Sequence, residues 1–198
     1  MKENAPNSDI ITQFSTLSTR WQAPSTRLVV LPRQPLPGWQ AYFQQLQPTP
    51  VHIAARMASD QAASHIHHLL LAQLPSTLHH HPFTAAWVED MADVCQHFAA
   101  FTQQKEVCFW LRSTRVCSKF HVDKTPCRLL LTYYGPGTEW TEHPLSSLPE
   151  HPATKPVNPW HIAILRGGPS GIVHRSPPLT ESNYSLLMRL DLPSFLSR

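Results

Sequence analysis

The sequence predicts an α+β fold, with helices in the first half packed on an antiparallel, jelly-roll-like β-barrel in the second. Three observations predict it. Between residues 59 and 104 apolar side chains recur at helical spacing. From Glu106 onward the chain breaks into short β-branched and aromatic runs separated by turn chemistry, with no helical stretch between them. The composition, 41% hydrophobic and 15% charged with 20 prolines and 6 glycines in 198 residues, suits a packed core with proline-rich loops.

In chain order, residues 1–20 are polar and carry little apolar periodicity, which predicts a poorly ordered arm or an edge segment. Residues 21–198 are expected to form one domain, of which 21–105 is a mainly helical scaffold with one or two strands and 106–198 is the barrel half. RLVVLPR at 27–33 reads as a strand stopped by Pro32, and WQAYFQQLQ at 39–47 as a short helix with Trp39, Tyr42, Phe43 and Leu46 near one face. VHIAARM at 51–57 fits another strand. SDQAASHIHHLLLAQL then predicts a helix capped by Ser59 or Asp60 and stopped before Pro75. Residues 83–104 give the strongest helical pattern, because Trp87, Met91, Val94, Cys95, Phe98 and Phe101 form an apolar stripe. The strands of the second half are EVCFWLRST, RLLLTYYG, PWHIAILRGG, GIVHRSP and YSLLMRLDL. GPGTEW at 135–140 lacks phosphate-loop spacing and is expected to be a hairpin turn, with Gly135 or Gly137 at positive φ.

The formal net charge of +3 comes from scattered Lys and Arg residues rather than a run, so no nucleic-acid partner is expected. No stretch reaches the roughly 18 apolar residues of a membrane span. The N-terminal residues lack a signal-peptide pattern and the four cysteines form no CxxC pair, so the expected location is the cytoplasm, with reduced thiols. Histidine, at 13 residues, is the unusual entry and directs attention to metals.

The chemistry lies in HVD at 121–123. Side chains two apart on a strand share a face, roughly 6.5–7 Å apart, so His121 and Asp123 can face one ion while Val122 turns away. Two imidazoles and one carboxylate leave the other positions of an ion open, which is the donor set of non-haem iron(II) oxygenases. The second imidazole is expected from His174 in GGPSGIVHRSPP, 51 residues after Asp123, on a strand that a jelly roll can place beside the first. An arginine inside an apolar strand needs an anionic partner for its fork, which marks Arg189 in SLLMRLDL as a carboxylate site, with Asp191 as the competing internal partner. Arg128 in CRLLLTYY carries the same logic more weakly. Trp110, Trp140 and Trp160 are candidates to line the pocket, although large aromatics more often form core.

FHVD at 120–123, RLLLTYYGPGTEW at 128–140, AILRGG at 163–168 and GIVHRSPP at 171–178, with RLVVLPRQPLPGW at 27–39 more loosely, together resemble the bacterial family called domain of unknown function 1826. More distantly, the order HxD, distal His, then Arg one strand later resembles the Fe(II)/2-oxoglutarate-dependent oxygenases. That resemblance implies a cupin-like double-stranded β-helix. It implies iron held by His121, Asp123 and His174, and 2-oxoglutarate held through its far carboxylate by Arg189, with a hydroxyl from Tyr133 or Tyr134. The implied reaction is hydroxylation of a C–H bond in a small-molecule or protein substrate.

Two rival functions follow from other residues. A closed fourth ligand from Cys117, Cys127, His143 or His161 would make the site a zinc centre in a cupin-like protein of metal homeostasis. His65 and His68, i and i+3 on one helix within the histidine-rich stretch that includes His67, His79, His80 and His81, are a second zinc candidate, though solvated surface explains them without a ligand. The other rival is a metal-free barrel that binds a partner, and it needs His121 and His174 to lie apart.

Overall fold

In the computed structural model, residues 7–10, 13–47, 49–113, 117–178 and 184–195 are described. Along the chain come β1 (Asn7–Ile10), α1 (Leu17–Trp21), β2 (Thr26–Leu31), α2 (Trp39–Leu46), β3 (His52–Ala58), α3 (Ala62–Leu71), α4 (Ser76–His79), α5 (Pro82–Thr102), β4 (Glu106–Arg112), β5 (Cys127–Tyr134), β6 (Glu139–Thr141), β7 (Lys155–Pro156), β8 (Ile162–Arg166), β9 (Val173–Arg175) and β10 (Leu186–Asp191). The longest helix, α5, has clear start and stop signals. Pro82 occupies its first turn, and the His81 imidazole Nδ1 accepts the Phe83 N–H at 3.1 Å as the cap. Gln103 ends it in the left-handed conformation, φ 55°, so that the Gln104 N–H donates back to the Ala99 carbonyl at 2.9 Å.

Seven strands form one sheet in the order β1-β2-β8-β5-β10-β4-β3, parallel only between β1 and β2. A smaller antiparallel sheet has the order β7-β6-β9. Period-two alternation on the large sheet sorts its residues between two cores. Val29, Leu31, Phe109, Leu111, Leu129, Leu131, Ile162, Ile164, Met188 and Leu190 join the helices in the main core, where Tyr42, Phe43, Trp87, Met91 and Phe98 are fully buried. From the other face, Leu28, Leu130, Ala163 and Leu165 meet Trp140, Val157 and Ile172 in a second core that includes the small sheet. The central strand β5 is buried on both faces, which is why RLLLTYY reads as an unbroken apolar run.

Three expectations are corrected. Of the two alternatives for the first 20 residues, the unordered arm is corrected over the described part and the edge segment fits: residues 7–10 pair in parallel with β2 at the end of the large sheet, and Leu17 is wholly buried. Residues 1–6, 11 and 12 lie outside the described residues. The division at residue 105 is not a division in space, because β2 and β3 from the helical stretch join the same sheet as β4, β5, β8 and β10; backbone pairing joins strands irrespective of their sequence separation. The GPG turn does have Gly135 at φ 82°, but it carries the chain from the large sheet to the small one instead of closing a hairpin. Among the described residues no helix is long and apolar enough to cross a membrane.

One polar cluster ties the layers together. Asp90 on α5 pairs with Arg33, just after β2, and accepts the Tyr133 hydroxyl of β5 at 2.7 Å. Burial and the Asp90 charge both push the Tyr133 phenol upward, so it remains a donor. Removing the shared acceptor leaves a largely buried guanidinium and a buried phenol unpaired. Asp90→Ala is therefore expected to lower unfolding free energy by about 3 kcal/mol, measured by urea denaturation; a loss below about 1 kcal/mol, the range of an exposed pair, contradicts the tie.

Candidate metal centre

His121, in the loop between β4 and β5, forms an isolated antiparallel bridge with His174 of β9. Each backbone N–H donates to the other's carbonyl at 3.0 Å. Directly opposed residues of this kind have neighbouring side chains, and the two imidazole centroids are 4.4 Å apart. Asp123 is not in a strand, contrary to the simplest reading of HVD. Its carbonyl instead accepts the Gly168 N–H at 2.7 Å. The approach depends on Gly167, where a Cβ would stand 2.1 Å from the Thr125 carbonyl oxygen and 2.5 Å from that of Asp123. The result is that His121 Nε2 lies 3.8 Å from Asp123 Oδ1 and His174 Nε2 lies 3.5 Å from Asp123 Oδ2. Donor atoms of all three residues fall within 4.8 Å of one another, and among the described residues this is the one cluster of three or more such groups.

The hydrogen bonds around the triad decide which atoms face inward. His121 Nδ1 donates to the Lys119 carbonyl at 2.9 Å and His174 Nδ1 to the Ile172 carbonyl at 3.1 Å. A carbonyl only accepts, so a neutral ring carries its proton on Nδ1 and turns the Nε2 lone pair to the centre. Burial pushes the His174 pKa down to about 4 against the opposing pull of Asp123, so that ring is neutral at pH 7. Asp123 is 4% exposed; its Oδ1 accepts from Arg128, while Oδ2 is buried without a hydrogen-bond partner. A buried carboxylate oxygen thus faces an imidazole lone pair with no proton between them. Two electron-pair donors at that separation repel, and a cation relieves both.

Arg128 of β5 reaches Asp123 with Nη1 and clasps Asp191 of β10 with Nε and Nη2, at 2.7 and 3.1 Å. Its fork is spent on these carboxylates, which corrects the expectation of Arg128 as a cosubstrate anchor. Arg189 lies 3.0 Å from Asp191 through Nε, but the angle is too poor for a hydrogen bond, and that nitrogen is buried without a partner. Arg189 also stacks on Trp110, 4.3 Å from guanidinium carbon to ring centroid. A cavity of about 30 Å³ is lined by both triad histidines, Cys117, Arg128, Arg175 and Arg189 among others. Arg175 is held by Glu139 at 2.8 Å and lies over Phe120.

Other candidates fall elsewhere. Tyr133 faces the helices, as its bond to Asp90 shows, because β5 alternation gives the site face to Arg128, Leu130 and Thr132. Tyr134 lies past a register shift between Leu186 and Leu187; it accepts from Gln47 and packs on Trp39, Phe43 and Tyr184. Neither tyrosine joins the site. Trp160 belongs to the main core and Trp140 to the smaller one, leaving Trp110 as the tryptophan beside Arg189. Of the fourth-ligand candidates, Cys117 lines the cavity, with its thiol directed to the Lys119 carbonyl at 3.5 Å. Cys127 is in the helix-side core, where burial pushes its thiol up to about 12. His143 and His161 are outside the cluster. In the histidine-rich stretch His79 bonds the Leu74 carbonyl, His81 caps α5, and His67, His68 and His80 are exposed. Arg112, 4.9 Å from the Trp110 ring, was not a sequence candidate; its spacing of two from Trp110 on one strand is the signal that places it on the same face.

Comparison with solved structures gives full-length likenesses at low identity. A 2OG-Fe(II) oxygenase family oxidoreductase of Burkholderia pseudomallei is 11% identical, with a TM-score of 0.43, covering 93% of this chain and 95% of that one. A full-length Neurospora crassa protein solved in complex with alpha-KG is 11% identical, with a TM-score of 0.42, covering 96% and 87%. A bsmA homolog of Methylobium petroleophilum is 11% identical, with a TM-score of 0.46, covering 92% and 95%. No curated protein matches the chain. The family model described as protein of unknown function (DUF1826) matches residues 13–191, and the chain belongs to that family.

Proposed function

We propose that the chain is a non-haem Fe(II)- and 2-oxoglutarate-dependent oxygenase, with the metal held by His121, Asp123 and His174. The observation that carries this is the unpartnered, buried Asp123 Oδ2 facing the His174 Nε2 lone pair at 3.5 Å. The donor set fits such an ion: two imidazoles and one carboxylate, beside a small cavity. Bound iron supplies the activation of oxygen, coupled to oxidation of the keto acid. The chain's own residues hold and orient. The Lys119 and Ile172 carbonyls fix the two rings, Arg128 keeps Asp123 Oδ1 engaged so that Oδ2 points inward, and Asp191 holds Arg128 in place.

Arg189 supplies the carboxylate anchor in this proposal. Its Nε lacks a hydrogen bond and its charge is only half-answered by Asp191, which also serves Arg128. The cavity of about 30 Å³ has room for a water or two, well short of the roughly 300 Å³ at which small-molecule sites begin. Cosubstrate entry therefore requires the cavity to widen, with Arg189 exchanging Asp191 for the incoming carboxylate. We read the two sheets, antiparallel apart from the β1–β2 pair, as the faces of a double-stranded β-helix, and place the protein in the cytoplasm on its four free thiols. The substrate is a small molecule or a protein, and no nucleic-acid or membrane partner enters the reading. One observation favours a second reading: Cys117 lines the same cavity, and a thiolate there would complete a tetrahedral zinc set in a metal-homeostasis protein.

Anaerobic titration of metal-free protein separates the two. Fe(II) followed by 2-oxoglutarate is expected to produce a weak visible charge-transfer band that is absent in His174→Ala and weakened in Arg189→Ala. Tight zinc retention with no band overturns the oxygenase reading and supports the zinc one. A further outcome is expected of Arg128→Gln. Removing a cation from beside the site raises metal affinity on charge alone, but it also frees Asp123 and leaves Asp191 poorly paired. Loss of such an outer partner usually costs 10–100-fold in affinity. Weaker Co(II) binding, read by its visible spectrum, is the expected result; tighter binding shows that Arg128 acts mainly by repulsion.

A further inference from the structure

Beside the triad, the same face of the large sheet carries Trp110 and Arg112, which the proposed reaction leaves without a role, packed against the Arg189 anchor. Trp110 and Arg112 are two apart on β4 and share a face; across the ladder Arg189 stands opposite Trp110, and Leu187 opposite Arg112. The Arg189 and Arg112 guanidinium carbons lie 4.3 and 4.9 Å from the Trp110 ring centroid. The indole Nε1, Arg112 Nε and Arg189 Nε are all buried, and none has a hydrogen-bond partner. A buried donor left without an acceptor is destabilising. All three atoms only donate, so whatever satisfies them must accept.

Charge gives the acceptor its sign. On this face Arg56 is paired with Glu106, and Asp191 is shared between Arg128 and Arg189, whereas Arg112 has no carboxylate partner among the described residues. The carboxylates Asp123 and Asp191 face three arginines, Arg128, Arg189 and Arg112. A divalent ion at the triad raises the excess to three positive charges. A dicarboxylate held by Arg189 removes two of them, and the charge left over is that of Arg112. Burial lowers the Arg189 pKa; Asp191 and Asp123 pull it back up, while Arg128 and Arg112 push it down further, so Arg112 is a repulsive neighbour with no acid of its own among the described residues. A small cavity of about 10 Å³ between Trp110, Arg112, Leu187 and Arg189 shares Leu187 and Arg189 with the triad cavity; it is smaller than a carboxylate, so an anion bound there must displace these side chains, and it would lie next to the triad.

We propose that Arg112 and the Trp110 indole N–H form a second oxyanion subsite, beside the Arg189 anchor, that holds the carboxylate or phosphate of an acidic substrate. Calling the ligand a substrate rests on the oxygenase reading; the subsite itself does not.

The test uses the metal-free full chain, labelled with ¹⁵N, and follows the Trp110 indole N–H signal, identified by its loss in Trp110→Phe. Acetate and inorganic phosphate are titrated separately. A saturable shift of that signal is expected, with the higher affinity for acetate if the substrate is a carboxylic acid and for phosphate if it is phosphorylated. Arg112→Gln should weaken binding by about tenfold or more, the loss of one charge-assisted contact, and Arg112→Lys by a smaller factor because the charge stays but the fork is lost. No saturable shift, or equal affinity in both Arg112 variants and the parent, overturns the proposal. So does loss of the shift in Arg189→Gln with Arg112→Gln unaffected, which would put the anion on the cosubstrate anchor alone. If Arg112→Gln does not fold, unchanged affinity in Arg112→Lys overturns the proposal and weakened affinity supports it. With no iron present, failure of the charge-transfer band and failure of this titration are separate results.

Discussion

The guanidinium of Arg128 stands between two buried carboxylates, and the arrangement of the site depends on that contact. It joins a loop residue, Asp123, to the middle of the large sheet through Asp191, so the carboxylate of the triad is positioned by β5 and β10 rather than by its own loop alone. Burying one arginine between two acids is costly unless every lone pair finds a partner. Here one does not: Asp123 Oδ2 remains open, directed at His174. The arginine thereby selects which carboxylate oxygen is left for a ligand.

The sheet that carries this network is held by apolar packing on its opposite face. Period-two alternation sends Leu129, Leu131 and Tyr133 of β5 towards α5 and α2, and leaves Arg128, Leu130 and Thr132 for the site side. The two faces differ in what they can accept. The helix side is sealed, and Tyr133 survives there because Asp90 accepts its hydroxyl. The site side tolerates charge because the acids and arginines lie in adjacent rows of the ladder, Asp191 opposite Arg128 and Arg189 opposite Trp110. The small sheet covers Leu28, Leu130 and Leu165 with Trp140, Val157 and Ile172, which confines the polar groups to the opening beside them.

Most of the secondary structure, and the residues that form the His-Asp-His cluster, were legible in the sequence. The strands and helices follow from runs such as RLLLTYY and the Trp87 to Phe98 stripe, whose periodicity is local. HVD was suggestive because two side chains separated by one residue can converge whether or not the backbone is a strand, and in fact only His121 pairs. Tyr133, Tyr134 and Arg128 show where such reasoning ends. A residue's face depends on register and on bulges, and the shift at Leu186 and Leu187 removes Tyr134 from the face its position in the strand suggests. Arg112 was missed because its spacing of two from Trp110 gives a shared face but does not show that Arg189 and Leu187 stand opposite across the ladder.

By itself, then, the sequence determined the element types and the residue types able to hold an ion, since each depends on chemistry within a few positions. Tertiary structure alone decided that the first strand joins an edge of the large sheet in parallel, that His174 lies opposite His121, that Arg128 serves two acids, and that Arg189 and Arg112 share one indole. These are pairings between residues far apart in the chain. Their energies come from strand register and from burial on a shared face, and no local pattern encodes either.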